Sequence, residues 1–403
     1  MAINISNILT QLNTKMSADS SATTTDLLRR VQAYQSLNNI KGVQEVKHYG
    51  DLPAIDSNNI GQLFYVSAST DDSFGTFFFS KALLNDDGNY DITNSAGWQK
   101  IVLNANDSDN FADITLPPHS FPGTVSGYTS GGFTPPETNT IDKFPFSTDV
   151  NATDVGDLLS NSRGGAGQSS ETNGYVSGGA PYSNVIQKFP FAVDANSTDV
   201  GDLLFTFAFG GGQSSETHGY TSGGLNPAKD IIQKFPFSVD ANATDVGDLI
   251  ASLYASAGQS STEHGYNSGS YPSTDIVHKF PFASDANAVT VGYLTIARGY
   301  HAGQSSAEYG YNAGGSDTPT TRCDVIDKFS FSSNANATDV GDLLSNIYRT
   351  VGQSSTDNGY VSGGADAPLY LNIIQKFPFS TDANSTDVGD LTVGRSWGSG
   401  QQD

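Results

Sequence analysis

Regularly spaced carboxylates are the first candidates for chemistry in this chain. The run Asp194-Ala195-Asn196-Ser197-Thr198-Asp199-Val200-Gly201-Asp202 sets hard oxygen donors at short intervals, the donor type calcium takes. Near-copies begin at Asp149, Asp240 and Asp382. The glycine and terminal glutamate spacing of a helix–loop–helix calcium site is missing, and Asp and Asn at these positions make turns through their own side chains. Turns are therefore expected here, with no metal. His218 and His264 each precede Gly-Tyr, where other copies carry Asn173, Tyr309 and Asn358, so they are expected to be polar turn residues. No G-x-S-x-G, H-E-x-x-H, C-x-x-C or phosphate-loop pattern occurs. The expectation is a protein that is not an enzyme, with no catalytic residue and no cofactor.

These runs belong to a larger repeat. Lys-Phe-Pro-Phe stands at Lys143, Lys188, Lys234, Lys279 and Lys376, with Lys-Phe-Ser-Phe at Lys328, in steps of 45, 46, 45, 49 and 48 residues. A period of this size marks repeated supersecondary units. Within the unit Gly167 to Leu204, four short runs are separated by turns. They are AGQSS; Tyr175-Val176-Ser177 closed by Gly178-Gly179; Val185 to Phe191; and Asp199 to Leu204. Four strands repeated around a ring describe a propeller blade. Pro190 lacks a ladder donor and is expected at a strand end. Six anchors imply six blades. Gly400-Gln401 aligns with the start of GQSS, so the C-terminal strand should complete the first blade as its innermost strand and remove the free edge.

The order AGQSS, GYVSGG, IQKFPF, TDVGDL resembles the kelch repeat over residues 123–403, with Gly-Gly as the best motif. The kelch tryptophan of the fourth strand is absent. Gly269-Ser270 replaces Gly-Gly in one copy, and Thr290-Val291-Gly292-Tyr293-Leu294 replaces DVGDL. Ser355-Thr356-Asp357-Asn358-Gly359 resembles part of a sialidase Asp-box, without its closing aromatic. The resemblance implies a mainly β, six-bladed kelch-like propeller.

Comparing the copies sorts their connections. The turn after GQSS and the D-x-N-x-T turn are nearly constant. The segments after Gly-Gly and after the fourth strand vary. In an up-and-down blade the two variable connections share one face of the disk. That face carries Phe205, Phe207, Phe209, Tyr254, Tyr300, Tyr348 and Trp397 with Arg163, Arg298, Arg349 and Arg395. Aromatics with arginine are typical of recognition surfaces, so these are the candidate binding residues. The alternative is that they fill gaps between blades.

Residues 1–46 read as helical. Ile5, Ile8, Leu9, Leu12 and Met16 form one stripe, and Leu27, Leu28, Val31, Tyr34 and Leu37 a second. Each is too short to be stable alone. A helical hairpin and an attachment or oligomerisation segment are the two readings. Residues 47–105 read as a small antiparallel β module, whose LP…GQL-x-YV…TFFF…GWQKI pattern resembles modules near the N-termini of phage fibre-like proteins. Residues 106–122 read as a linker.

The formal charge of −23 argues against nucleic acid and against anionic membranes as partners. No stretch approaches the roughly 20 apolar residues of a membrane span, and the N-terminus lacks the pattern of a secretory signal. The lone Cys323 excludes an internal disulfide. The Gly/Ser/Thr/Asn/Asp-rich repeats and the fibre-like module resemble a bacteriophage virion protein, marine phages included. That resemblance implies a tail-fibre, spike or capsid-surface protein located in the virion. It would meet other virion proteins through its N-terminal region, with the same chain in an oligomer as a further option, and a host-surface glycan or protein through the propeller. The alternatives are an intracellular kelch-like scaffold and a glycan-active propeller enzyme.

Overall fold

The computed structural model describes residues 123–317 and 321–403, and before them only the backbone strands Gln44–Val46, Leu63–Val66, Thr76–Lys81, Leu83–Leu84, Tyr90–Asp91 and Gly97–Ile101. The chain divides into two units, Met1–Pro118 and His119–Asp403. In the first, Leu63–Val66, Thr76–Lys81 and Gly97–Ile101 pair antiparallel in that order, and Gln44–Val46 joins the outer side in parallel. The expected attachment residues Ile5, Ile8, Leu9, Leu12, Leu27, Leu28 and Val31 lie outside the described residues.

The second unit is a six-bladed β-propeller, built from six four-stranded antiparallel sheets. Blade 2 shows the plan: Ala166–Ser169 innermost, then Asn173–Ser177, Ser183–Pro190 and Thr198–Phe207. Pro190 ends its strand, where its missing N–H does no harm. Blade 1 takes its innermost strand from the C-terminus. Ser399–Gln402 pairs with Ser126–Phe133, which is followed by Glu137–Pro145 and Thr153–Asp157. The ring is thus closed by pairing its two ends.

The residues that recur are joints between blades. At the axis, the glycine of each GQS packs on its predecessor's main chain. A Cβ on Gly167, Gly212, Gly258, Gly303, Gly352 or Gly400 would strike the carbonyl oxygen of the equivalent glycine next door. The adjacent glutamine reaches across. Gln168, Gln213, Gln259, Gln304, Gln353 and Gln401 donate from Nε2 to the carbonyls of Tyr220, Tyr266, Tyr311, Tyr360, Tyr128 and Tyr175, at 2.9–3.1 Å.

Farther out, the two phenylalanines of KFPF clasp the tyrosine of the preceding blade. Phe189 and Phe191 lie 5.5 and 4.9 Å from Tyr128, and the pattern returns around the ring to Phe144 and Phe146 on Tyr360. Such pairs add about 0.5–1.5 kcal/mol each beyond their buried area. At the rim, Asn196 Oδ1 accepts from the Asp157 N–H of the blade before, as do Asn242, Asn287, Asn384 and Asn151 at their own joints. The calcium-like runs are therefore staples between blades. Among the described residues no group of three or more His, Cys, Asp or Glu side chains gathers to hold a metal.

Candidate functional site

The two variable connections share one face. The segment leaving each fourth strand bridges to the segment after Gly-Gly of the next blade, through Arg163–Ala180, Ala208–Leu225, Tyr254–Tyr271, Gly299–Ser316, Tyr348–Ala365 and Ser396–Phe133. One residue along from each of these exit-segment positions, the chain turns into the next innermost strand through the left-handed region. The residues there are Gly164, Phe209, Ala255, Tyr300, Arg349 and Trp397, with φ between 56° and 63°.

Their main chains form a closed circuit around the axis. The N–H of Phe209 donates to Gly164, Ala255 to Phe209, Tyr300 to Ala255, Arg349 to Tyr300, Trp397 to Arg349, and Gly164 back to Trp397, at 2.6–2.9 Å. A left-handed backbone costs a residue with a Cβ roughly 1–2 kcal/mol. Five of the six positions carry that strain, held by the circuit. Strain of this kind concentrates at functional sites.

The circuit presents a cluster of rings and guanidinium groups at the axial mouth. The Arg349 guanidinium lies 3.8 Å from the Trp397 ring centre and 4.3 Å from that of Tyr348. Arg163 sits 4.6 Å over Phe133 and 5.0 Å from Trp397, and pairs with Glu137 at 3.1 Å. Phe209 packs on Trp397 at 5.7 Å. Tyr254, Tyr271 and Tyr300 form a second group with centres 5.5 and 5.8 Å apart. Burial holds the Tyr300 hydroxyl above its ordinary value, aided by neighbouring Tyr254. Burial also lowers the Arg349 guanidinium from its ordinary range.

Beneath this mouth is a cavity of about 80 Å³, lined by Phe209, Tyr300, His301, Arg349, Thr350 and Trp397 among glycines and small residues. It adjoins an axial channel of about 140 Å³ walled by the innermost strands, and His301 lines both.

Several candidate binding residues are elsewhere. Arg298 and Arg395 are not on the surface: they are 0% and 1% exposed. Each pairs with a buried aspartate, Arg298 with Asp327 at 3.1 Å and Arg395 with Asp142 at 2.8 Å. Burial presses the Arg395 guanidinium down, while Asp142 opposes the shift. The physical reason is a column of the repeat. The residue before the anchor lysine accepts an N–H two residues beyond the TDVGD run of the preceding fourth strand, from Leu159 to Gln187, Leu204 to Gln233 and Leu344 to Gln375. In two blades that acceptor is Asp327 or Asp142, bonded by Thr295 or Thr392, and an arginine supplies the countercharge.

Phe207 occupies the same buried position as Arg298 in its own blade, packed in a core cluster with Ile186, Leu203 and Phe235. Gap-filling is thus the role of Phe207, Arg298 and Arg395. Tyr348 is buried as well, between Arg349 and Arg322. Phe205 is exposed, with Lys229 over its ring at 4.7 Å, away from the axial cavity. Arg163, Phe209, Tyr254, Tyr300, Arg349 and Trp397 are the half-buried members brought together on this face. Sequence comparison missed His301 and Thr350, which share one column of the repeat where the other four copies carry Gly165, Gly210, Ser256 and Gly398.

His278 takes the acceptor column in blade 4, where its Nδ1 receives the Ile250 N–H at 3.4 Å. Burial pushes its pKa down to about 4. The unfolded chain therefore binds a proton between pH 6.5 and 4 that the folded chain refuses, and stability falls as pH drops through that window. His278→Gln, which installs the residue of three other blades, is expected to remove about 2–3 kcal/mol of that acid sensitivity. Urea melts at pH 7.5 and 4.5 check this; an unchanged pH difference contradicts it.

No protein-family model matches the chain, and no curated protein matches it. Among solved structures it is similar to one titled "Structure of YjhT", with a TM-score of 0.52 at 12% sequence identity, over 60% of this chain and 88% of that one. At this identity the likeness is one of fold.

Proposed function

We propose that the propeller is a non-catalytic recognition module, binding a surface glycan or protein through the face that carries its variable connections. One observation supports this most. The repeating residues are consumed in joints between blades, whereas Trp397, Arg349, Arg163, Tyr300 and Phe209 gather half-buried around one mouth. Aromatic and arginine side chains in such a setting are the usual anchors of binding energy.

The kelch-like character of the repeat and the virion setting, with a tail-fibre, spike or capsid-surface position, belong to the same proposal and draw on the sequence resemblance alone. In that setting the N-terminal region joins other virion proteins and the propeller meets the host envelope. Labelled full-length protein is expected to stain a subset of a panel of bacterial cells. Mass spectrometry of purified particles is expected to find the chain. Absence from particles removes the virion setting; absence of any cell staining removes the recognition role.

A further inference from the structure

The cavity at the axial mouth is lined by residues with buried polar atoms that lack a well-formed hydrogen bond. His301 is 5% exposed, and its ring, set near Asn312 and the main chain of Gly299 and Ser268, makes no well-formed hydrogen bond at either nitrogen. Burial, reinforced by the nearby Arg298 guanidinium, pushes its pKa down to about 3, so its imidazole is neutral at pH 7. The Thr350 hydroxyl, the Trp397 indole N–H and Arg349 Nε are buried and unpartnered too. All four residues line the same cavity. Leaving one such group unsatisfied costs about 1–3 kcal/mol, and four residues with such groups line this one cavity, which points to an occupant.

The chemistry of those atoms narrows the occupant. Indole and guanidinium N–H groups only donate, a hydroxyl does either, and a neutral imidazole donates from one nitrogen and accepts at the other. The matching ligand is rich in acceptors and carries hydroxyls. Charge narrows it further. Arg163, Arg298, Arg322 and Arg395 each have a carboxylate partner, but no ion pair involves Arg349 among the described residues. An uncompensated guanidinium at the mouth suits a small anion locally, although the net charge of −23 opposes its approach at long range. Because the Arg349 guanidinium sits over the Trp397 ring, 3.8 Å from its centre, its N–H donors are directed away from the ring and can serve a carboxylate, which arginine binds well. The flanking Tyr300 and Phe209 rings offer flat apolar walls for the C–H face of a sugar ring.

We propose that the axial mouth is a subsite for a carboxylated monosaccharide unit of an acidic glycan. Its carboxylate meets Arg349 and the Trp397 indole N–H, and its hydroxyls meet His301 and Thr350. This rests on the recognition reading above and names the ligand class of that same face.

Isothermal titration of the full chain with D-glucuronate, D-glucose and acetate tests it. Glucuronate is expected to bind at least tenfold more tightly than either of the others. Arg349→Gln should abolish that preference. Trp397→Phe, which keeps a ring and removes the indole N–H, should weaken glucuronate severalfold with the melting temperature unchanged, and serves if Arg349→Gln does not fold. Equal affinity for glucose overturns the acidic assignment, and equal affinity for acetate or for polyglutamate overturns the glycan assignment. If glucuronate fails to bind while cell staining still depends on Trp397, this inference falls and the recognition reading stands. Staining that ignores Trp397 removes both.

Discussion

Gly212→Ala is expected to cost more than about 3 kcal/mol of stability, a fall in Tm on the order of 6–12 °C. The added Cβ would meet the carbonyl oxygen, carbonyl carbon and nitrogen of Gly167 in the neighbouring blade. Main chain cannot rotate out of the way as a side chain can. Gly167 is itself pressed on Gly400, and the contact repeats through all six blades, so relief at one joint is resisted by the other five. The lost Gln213 bond to the Tyr266 carbonyl and the Ser214 N–H bond to Ser260 would add to the damage. Thermal or urea unfolding of the variant checks this. A Tm within about 2 °C of the parent would mean the innermost strands have room to spread.

The second large effect concerns the buried ion pair. Arg298→Ile leaves Asp327 charged and 0% exposed without its countercharge, and breaking such a pair costs about 3–5 kcal/mol. The repeat contains its own remedy. In the next blade the same three positions are Leu344, Ile347 and Gln375, where glutamine accepts the Leu344 N–H and no charge is needed. The triple variant Thr295→Leu, Arg298→Ile, Asp327→Gln copies that set. It is expected to fall within about 1.5 kcal/mol of the parent, because contacting residues couple strongly. Urea melts of the single and triple variants measure the recovery. A harmless single change, or a triple no better than the single, contradicts the assignment of these residues to the scaffold.

Much of this fold is legible in residue types alone. The KFPF period predicts the blades and the spare GQ at the C-terminus predicts the closure, since both are set by local strand chemistry. Gly178-Gly179 closes a strand where residue type points to a positive φ or a close backbone approach, and φ is 69° and 115° there. The glycine of GQS is harder to read, because it is needed for a contact with a strand some 45 residues away that no local propensity reports. Arg298 and Arg395 mislead for a related reason. A loop arginine beside aromatics looks like a binding residue, and only its register with Asp327 and Asp142 reveals a buried pair. That signal is present in the sequence, since Thr, Arg and Asp depart from the repeat together in the same two places. His301 offers no such signal; its significance comes from burial and from two nitrogens without a well-formed hydrogen bond.

The central claim is that binding belongs to the face of the variable connections. Tyr348 is a poor probe of it, because truncating a buried ring between two guanidinium groups would disturb the scaffold. Trp397, half-buried at the mouth, is the better one, with exposed Glu171 in the turn after an innermost strand as the control on the opposite face. The direct measurement is staining of bacterial cells by labelled full-length Trp397→Ala and Glu171→Ala proteins, with Tm determined for both. A loss of at least tenfold for Trp397→Ala, with Glu171→Ala unchanged, is the result predicted. Equal staining by the two variants, or a loss confined to Glu171→Ala, would contradict it.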